Sequence, residues 1–245
     1  MRRHLLFVLL SLLGCSKTNN IDQSVHGDPD APPECAAEPP RAGLIDAFEC
    51  GPPGALPAWE GRSGGWYTQS DDQPGNTFVD ANDPAFDFEA LRCHVGFGDS
   101  EWAACAEGKT AKCDLSEDCW GASIGVAMTK DGTPFDAAAR GYTGVRFMMR
   151  NVMAAGPQSI LLNVADNNTI PSGGICEACY DYFSKELTLT AQWQEVIVHW
   201  RDLAQTGFGD PQPAFDAATL QYFDWRIPPR SSLSLVIDDL AFVSD

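Results

Sequence analysis

Six short runs constrain what this chain can fold into: "TGVRFMMR" (143–150), "QSILLNVA" (158–165), "ELTLT" (186–190), "QEVIVHW" (194–200), "LQYFDWRI" (220–227) and "SLSLVIDDLAF" (232–242). Each is rich in branched and aromatic residues. Glycine, proline, asparagine and aspartate punctuate the gaps, as in antiparallel strands joined by turns. Long helical periodicity is missing; "PFDAAAR" and "AFDAATL" offer only single turns, each with an aspartate able to cap a short helix. The expected fold is all-β, an antiparallel β-sandwich of two packed sheets.

Alternation assigns the faces. Ile160, Leu162 and Val164 share one side of their strand, and Leu161, Asn163 and Ala165 the other. Phe223, Trp225 and Ile227 oppose Tyr222, Asp224 and Arg226, while Val145, Phe147 and Met149 oppose Arg146, Met148 and Arg150. Three strands thus pair an apolar face with one that carries Asn163, Tyr222, Asp224 and Arg226. An ordinary solvated sheet face has this pattern. So does a sugar-binding concavity, in which rings cover C–H faces while amide, carboxylate and guanidinium groups fix hydroxyls.

The N-terminus bears on the compartment. Arg2 and Arg3 precede an apolar run, Leu5–Leu13, too short to span a membrane and of the length of a signal peptide. Its end, "LLGC", resembles a bacterial lipobox. That resemblance implies removal of residues 1–14 and lipid modification, including palmitate, at Cys15; the alternative is an ordinary secretory signal cut elsewhere. Diacylation anchors a protein stably to a membrane, and Ser16 after the cysteine resembles an outer-membrane address. Residues 15–42 are polar and proline-rich and are expected to form a disordered tether, with one globular domain over 43–245.

Export sets the reading of the cysteines. Besides Cys15 there are Cys35, Cys50, Cys93, Cys105, Cys113, Cys119, Cys176 and Cys179, an even set that reads as up to four disulfides of open connectivity. C-x-x-C occurs once, at 176–179, after a Pro-Ser-Gly-Gly loop rather than between a strand and a helix. A structural disulfide is the expectation there, with redox or metal use as the alternative.

The formal charge of −18, which grows to 14 bases against 34 acids once Arg2 and Arg3 are removed, repels phosphate backbones and excludes nucleic acid as a partner. Most of that acidity serves solubility. No G-x-S-x-G, phosphate-cradling glycine loop or H-E-x-x-H is present. No catalytic residue is assigned, although a carboxylate pair such as Asp166 with Asp224 leaves a glycosidase open.

Eight stretches, in order, resemble the family 11 type of carbohydrate-binding module, a galactose-binding-like jelly roll. They are "LIDAFECG" (44–51), "GRSGGWYTQSDD" (61–72), "WGASIGVAM" (120–128), "FDAAARGYTGVRFMMRN" (135–151), "NVADNNTIPSGGIC" (163–176), "CYDYFSKELTLTAQWQEVIVHWRDL" (179–203), "FDAATLQYFDWRIP" (215–228) and "LSLVIDDLAF" (233–242). The resemblance implies two face-to-face sheets and a β-glucan-like chain on the concave one. Carried over residue by residue, it makes Asn163, Asp166, Tyr180, Tyr182, Tyr222, Asp224 and Arg226 candidate ligand contacts, with Trp66 and Tyr67 as candidate platforms. Tyr182 stands where related sequences tend to carry histidine. The same resemblance makes the first and last strands neighbours that share a structural calcium, with Asp46, Glu49, Asp238 and Asp239 as candidate ligands; the alternative is an acidic strand end satisfied by backbone amides.

The resulting expectation is a membrane-anchored outer-membrane lipoprotein whose sandwich binds polysaccharide without cleaving it. A structural lipoprotein that holds a protein partner is the alternative from another class.

Overall fold

The structure is a computed structural model that describes residues 33–51, 54–71, 73, 76, 92–111, 119–152 and 158–244. The signal segment, Cys15, most of the expected tether and Cys113 lie outside them.

Among the described residues eleven strands build two antiparallel sheets: β1 (Leu44–Asp46), β2 (Gly65–Ser70), β3 (Arg92–Cys93), β4 (Ala103–Lys109), β5 (Ala122–Ala127), β6 (Gly144–Asn151), β7 (Gln158–Asp166), β8 (Phe183–Leu189), β9 (Gln194–His199), β10 (Leu220–Ile227) and β11 (Ser232–Val243). One sheet runs β3-β4-β11-β6-β9, with β1 also paired to β11; the other runs β2-β5-β10-β7-β8. The all-β sandwich is therefore the observed architecture, and all six runs read from the sequence are strands. The short helices are single 3-10 turns, and Asp216 caps one of them by accepting from the Ala218 amide at 3.1 Å.

Period-two alternation is obeyed where the sheets meet. Ile160, Leu162, Val164, Phe223, Trp225 and Ile227 point inward from one sheet, and Val145, Phe147, Met149, Leu235 and Ile237 from the other; all are buried in one cluster. Trp225 anchors it, edge-on to Phe147 at 5.1 Å and stacked on Trp66 at 5.7 Å. Each such side chain contributes roughly 1.5–3 kcal/mol by leaving water. The expectation that β6 adds to a shared polar face is corrected: β6 belongs to the other sheet, so Arg146 and Arg150 lie on the opposite side of the molecule from Asn163 and Asp224.

Residues 33–42, read as tether, are pinned to the sandwich by the Cys35–Cys50 disulfide, by Trp59 Nε1 donating to the Ala36 carbonyl at 2.7 Å, and by an Arg41–Asp239 ion pair at 2.7 Å. Cys93–Cys105 and Cys176–Cys179 are also bonded, and Cys119 is in a disulfide as well. C-x-x-C is thus a staple.

Candidate functional site

A groove of about 650 Å³ lies on the outer face of the five-stranded sheet, and every strand of that sheet contributes to its floor. The contributions are Gln69 from β2, Ser123 from β5, Asp224 and Arg226 from β10, Leu161 and Asn163 from β7, and Ser184 from β8. Five strands are four inter-strand steps, or roughly 19 Å across. A smaller hollow of about 260 Å³ shares Leu161 and Arg226 with it and extends the surface toward Ser159, Glu186 and Pro228.

Register explains the floor. Asp224 lies directly opposite Gly125 on one side and Asn163 on the other, and Asn163 lies opposite Ser184. A polar relay follows: Ser184 Oγ donates to Asn163 Oδ1 at 2.8 Å, and Asn163 Nδ2 donates to Asp224 Oδ1 at 3.3 Å. The next pair inward, Leu162 and Trp225, faces the core.

Gly125 has a packing reason. It is paired with Tyr67, and a Cβ there would collide with the Tyr67 ring, so the missing side chain lets that ring lie across the strand. Tyr67 meets Tyr222 edge to face at 6.2 Å, Tyr222 meets Tyr182 at 5.6 Å, and Tyr182 meets Tyr180 at 6.3 Å. Four of the chain's five tyrosines therefore form one strip beside the floor, in the edge-to-face arrangement that aromatic quadrupoles favour. Tyr222 donates its hydroxyl hydrogen to Tyr182 at 2.7 Å.

Burial governs the protonation states. It drives the phenol of Tyr222 well above its usual range, does the same to Tyr67, and pushes Tyr182 up to about 12, so all three stay neutral donors. It also raises Asp224 to about 6, against the charge-stabilising pull of Ser123, Asn163 and Arg226. Ser123 stands beside Asp224, yet its Oγ is buried without a well-formed hydrogen bond. Arg226 donates from Nε to the Trp120 carbonyl at 3.0 Å; among the described residues its terminal nitrogens have no protein partner. Burial lowers its pKa, with Asp224 and Asp71 pulling the other way.

The walls come from loops. Trp120 and Cys119 flank Arg226, while Tyr180, Asp181, Tyr182, Thr206 and Phe208 stand at the β8 side. Tyr180 has φ 73°, left-handed backbone that costs a side-chain-bearing residue on the order of 1–2 kcal/mol.

Of the sequence candidates, the structure brings Asn163, Asp224, Arg226, Tyr180 and Tyr182 together around the groove, with Tyr67 and Tyr222 beside them. Two are placed elsewhere. Trp66 is buried in the core with Nε1 bonded to Asp46 at 2.9 Å; alternation along β2 turns Tyr67 and Gln69 outward instead. Asp166 is fully buried and organises a turn, accepting from the amides of Asn168 at 3.0 Å and Asp216 at 2.8 Å. Gln69, Trp120, Ser123, Ser184, Thr206 and Phe208 are additional groove residues. Parity along "GWYTQS" and "FSKEL" marks Gln69 and Ser184, and an aromatic between two glycines in "GFGD" marks Phe208; the sequence carries no comparable sign for the others.

The four acids expected to share a calcium lie on or near β1 and β11. β1 and β11 do pair, but their carboxylates already have protein donors. Asp46 accepts from Trp66 and from the Phe48 amide at 2.8 Å. Glu49 accepts from Ser100 Oγ at 2.7 Å and the Trp102 amide at 2.9 Å. Asp238 takes the Phe97 amide at 2.7 Å, and Asp239 pairs with Arg41. Among the described residues no group of three or more His, Cys, Asp or Glu is arranged to hold a metal.

No protein-family model matches the chain, and no curated protein matches it in sequence. Solved structures do match in shape. One is a family 11 carbohydrate-binding module from Clostridium thermocellum in complex with a β-1,3-1,4-mixed-linked tetrasaccharide. It is 11% identical, with 82% of this chain and 95% of that one covered, at a TM-score of 0.51. Another is the family 11 module of a cellulosomal cellulase from the same organism, at 12% identity, 82% and 94% coverage and a TM-score of 0.50. The fold of this chain is therefore the β-sandwich seen in family 11 modules.

Proposed function

We propose that the groove binds a neutral, hydroxyl-rich polysaccharide of the β-glucan type and does not cleave it. The observation that carries this reading is the unfinished polar floor among the described residues: a buried Ser123 hydroxyl beside Asp224 without a well-formed hydrogen bond, a carboxylate whose one well-formed bond, at 3.3 Å, comes from Asn163, and a guanidinium whose terminal nitrogens have no protein partner. Buried polar groups in folded proteins are nearly always partnered, so these invite donors and acceptors from a ligand. Tyrosine faces beside them suit the C–H surfaces of sugar rings. The likeness in fold to a module in complex with a β-1,3-1,4-mixed-linked tetrasaccharide supports the same ligand class.

A binding rather than hydrolytic role is supported by the carboxylates. Asp166 has spent its oxygens on backbone amides, and the groove's other aspartate, Asp181, accepts four hydrogen bonds. Hydrolysis by paired acids needs two carboxyl groups free to exchange protons with substrate.

From the sequence alone, the mature chain would be lipid-modified at Cys15 and held at the outer membrane; mass measurement of the mature N-terminal peptide checks this. The binding reading is tested by affinity electrophoresis of the purified full chain in gels containing soluble glucans. Retardation is expected for the native chain and should be lost in both Asp224→Ala and Arg226→Ala. Unretarded migration of the native chain on every glucan overturns the reading, and released reducing ends overturn its non-catalytic part.

A further inference from the structure

Two loops at the β8 edge of the groove are fastened to each other more elaborately than loops of their length require. Asp181 reaches across to accept from the amides of Thr206 at 2.9 Å, Gly207 at 2.9 Å and Gly209 at 3.2 Å, and from Thr206 Oγ1 at 2.7 Å. Asp210 reaches back to accept from the amides of Glu177 at 2.6 Å and Ala178 at 3.0 Å. Burial works against the charged form of Asp181, yet these donors outweigh it and hold its pKa below the usual carboxylate range. The Cys176–Cys179 disulfide closes the first loop, and Gly209 packs so tightly that a Cβ would come within 2.6 Å of both the Ala178 carbonyl oxygen and Asp181 Cβ.

What this reciprocal clasp presents is apolar and faces water. Phe208 is 64% exposed and Tyr180 58% exposed, one from each loop, and both line the groove. Gly207, at φ 96°, and Gly209 flank Phe208 and let the chain turn it outward. The second loop is joined to the sheet by a two-bond bridge between Ser184 of β8 and Ala204, so Phe208 stands beyond the fifth and last strand. A glycan laid across the strands leaves the floor there.

We propose that Phe208, with Tyr180 on the loop clasped to its own, forms a preorganised aromatic subsite that takes a sugar ring beyond the sheet edge and makes the groove prefer longer chains. Asp210 and the disulfide are positioning elements: fixing the ring before the ligand arrives removes an ordering cost from binding. The inference rests on the groove binding a glycan.

The test is calorimetric titration of the full chain with a ladder of gluco-oligosaccharides from cellobiose to cellohexaose. Native affinity should climb along the ladder. Phe208→Ala should leave the short members unchanged and weaken the longest by about ten-fold, and Phe208→Trp should restore it. Asp210→Ala should flatten the same upper part of the ladder, whereas a merely structural role would lower the melting temperature and affect all lengths alike. An unchanged ladder in Phe208→Ala, or an equal loss at every length, overturns the subsite. If Phe208→Ala changes nothing while Asp224→Ala abolishes binding, the floor's role stands and the subsite falls. A native chain that binds no member of the ladder and no polymeric glucan overturns both.

Discussion

Asp224 and Asp238 are the same side chain in nearly the same predicament, on the outer faces of opposite sheets. Both are buried, and burial pushes both carboxyls up to about 6. Asp238 is sealed: Phe97, in the loop that follows β3, lays its amide on one oxygen at 2.7 Å, and the Asp239 amide takes the other at 2.6 Å. That cover is held by Arg150 donating to the Val95 carbonyl at 3.4 Å and by Phe97 meeting Trp193 edge to face. Asp224 has no such cover. It receives the Asn163 amide at 3.3 Å and otherwise lines an open groove. A buried acid completed by its own chain is architecture; one left incomplete at the bottom of a groove is available to something else.

Exchanging each acid for alanine sets the two apart most sharply. Asp224→Ala should cost at least about ten-fold in glucan affinity, since hydrogen bonds to charged groups are worth about 1.5–3 kcal/mol, with little change in melting temperature. Asp238→Ala should leave affinity intact and lower the melting temperature by about 3–8 °C, because it strands buried amides. Titration calorimetry beside scanning calorimetry reads both; an affinity loss in Asp238→Ala erases the distinction.

The pH dependence comes next. The folded chain holds protons on both acids where the unfolded chain, with an ordinary value near 3.8, has released them. Their contribution to stability therefore falls as pH rises from about 4 through 6, by roughly 3 kcal/mol for each group. Asn at either position should flatten that slope in urea titrations. Affinity moves the other way. As Asp224 takes up its proton, binding should weaken by about ten-fold between pH 7 and pH 5, and Asp238→Asn should leave that change untouched.

The smallest expected effect belongs to the hydroxyl pair. Tyr182→Phe removes the acceptor for Tyr222 and should weaken binding about three-fold, while Phe97→Leu on the sealed face should not alter it.

Much of this was legible beforehand, for reasons the residues make plain. β7 and β10 carry large branched and aromatic side chains in strict alternation, so their inward and outward faces follow from parity alone, and with them Asn163, Asp224 and Arg226. β4 and β5 read "AACAEGK" and "ASIGVA", too small to announce a strand; they are extended because β11 and β10 offer them ladder partners. Parity also cannot say which sheet a strand joins, which is why β6 was expected on the wrong face. The groove's β8 wall was illegible for a further reason: Asp181 meets its donors some 25 to 28 residues along the chain, a pairing that exists only once both loops are built.

Cys35 and Cys50 carry a mechanical consequence. A pull on the polypeptide ahead of Cys35 passes through sulfur directly to Cys50, bypassing the intervening residues, and arrives four positions past the end of β1. β1 lies antiparallel to β11, with Leu44 opposite Ala241 and Asp46 opposite Leu240, so a load along its axis would stretch both pairings at once instead of unzipping them singly. Traction at the N-terminal edge is thus delivered to the sheet that does not carry the groove.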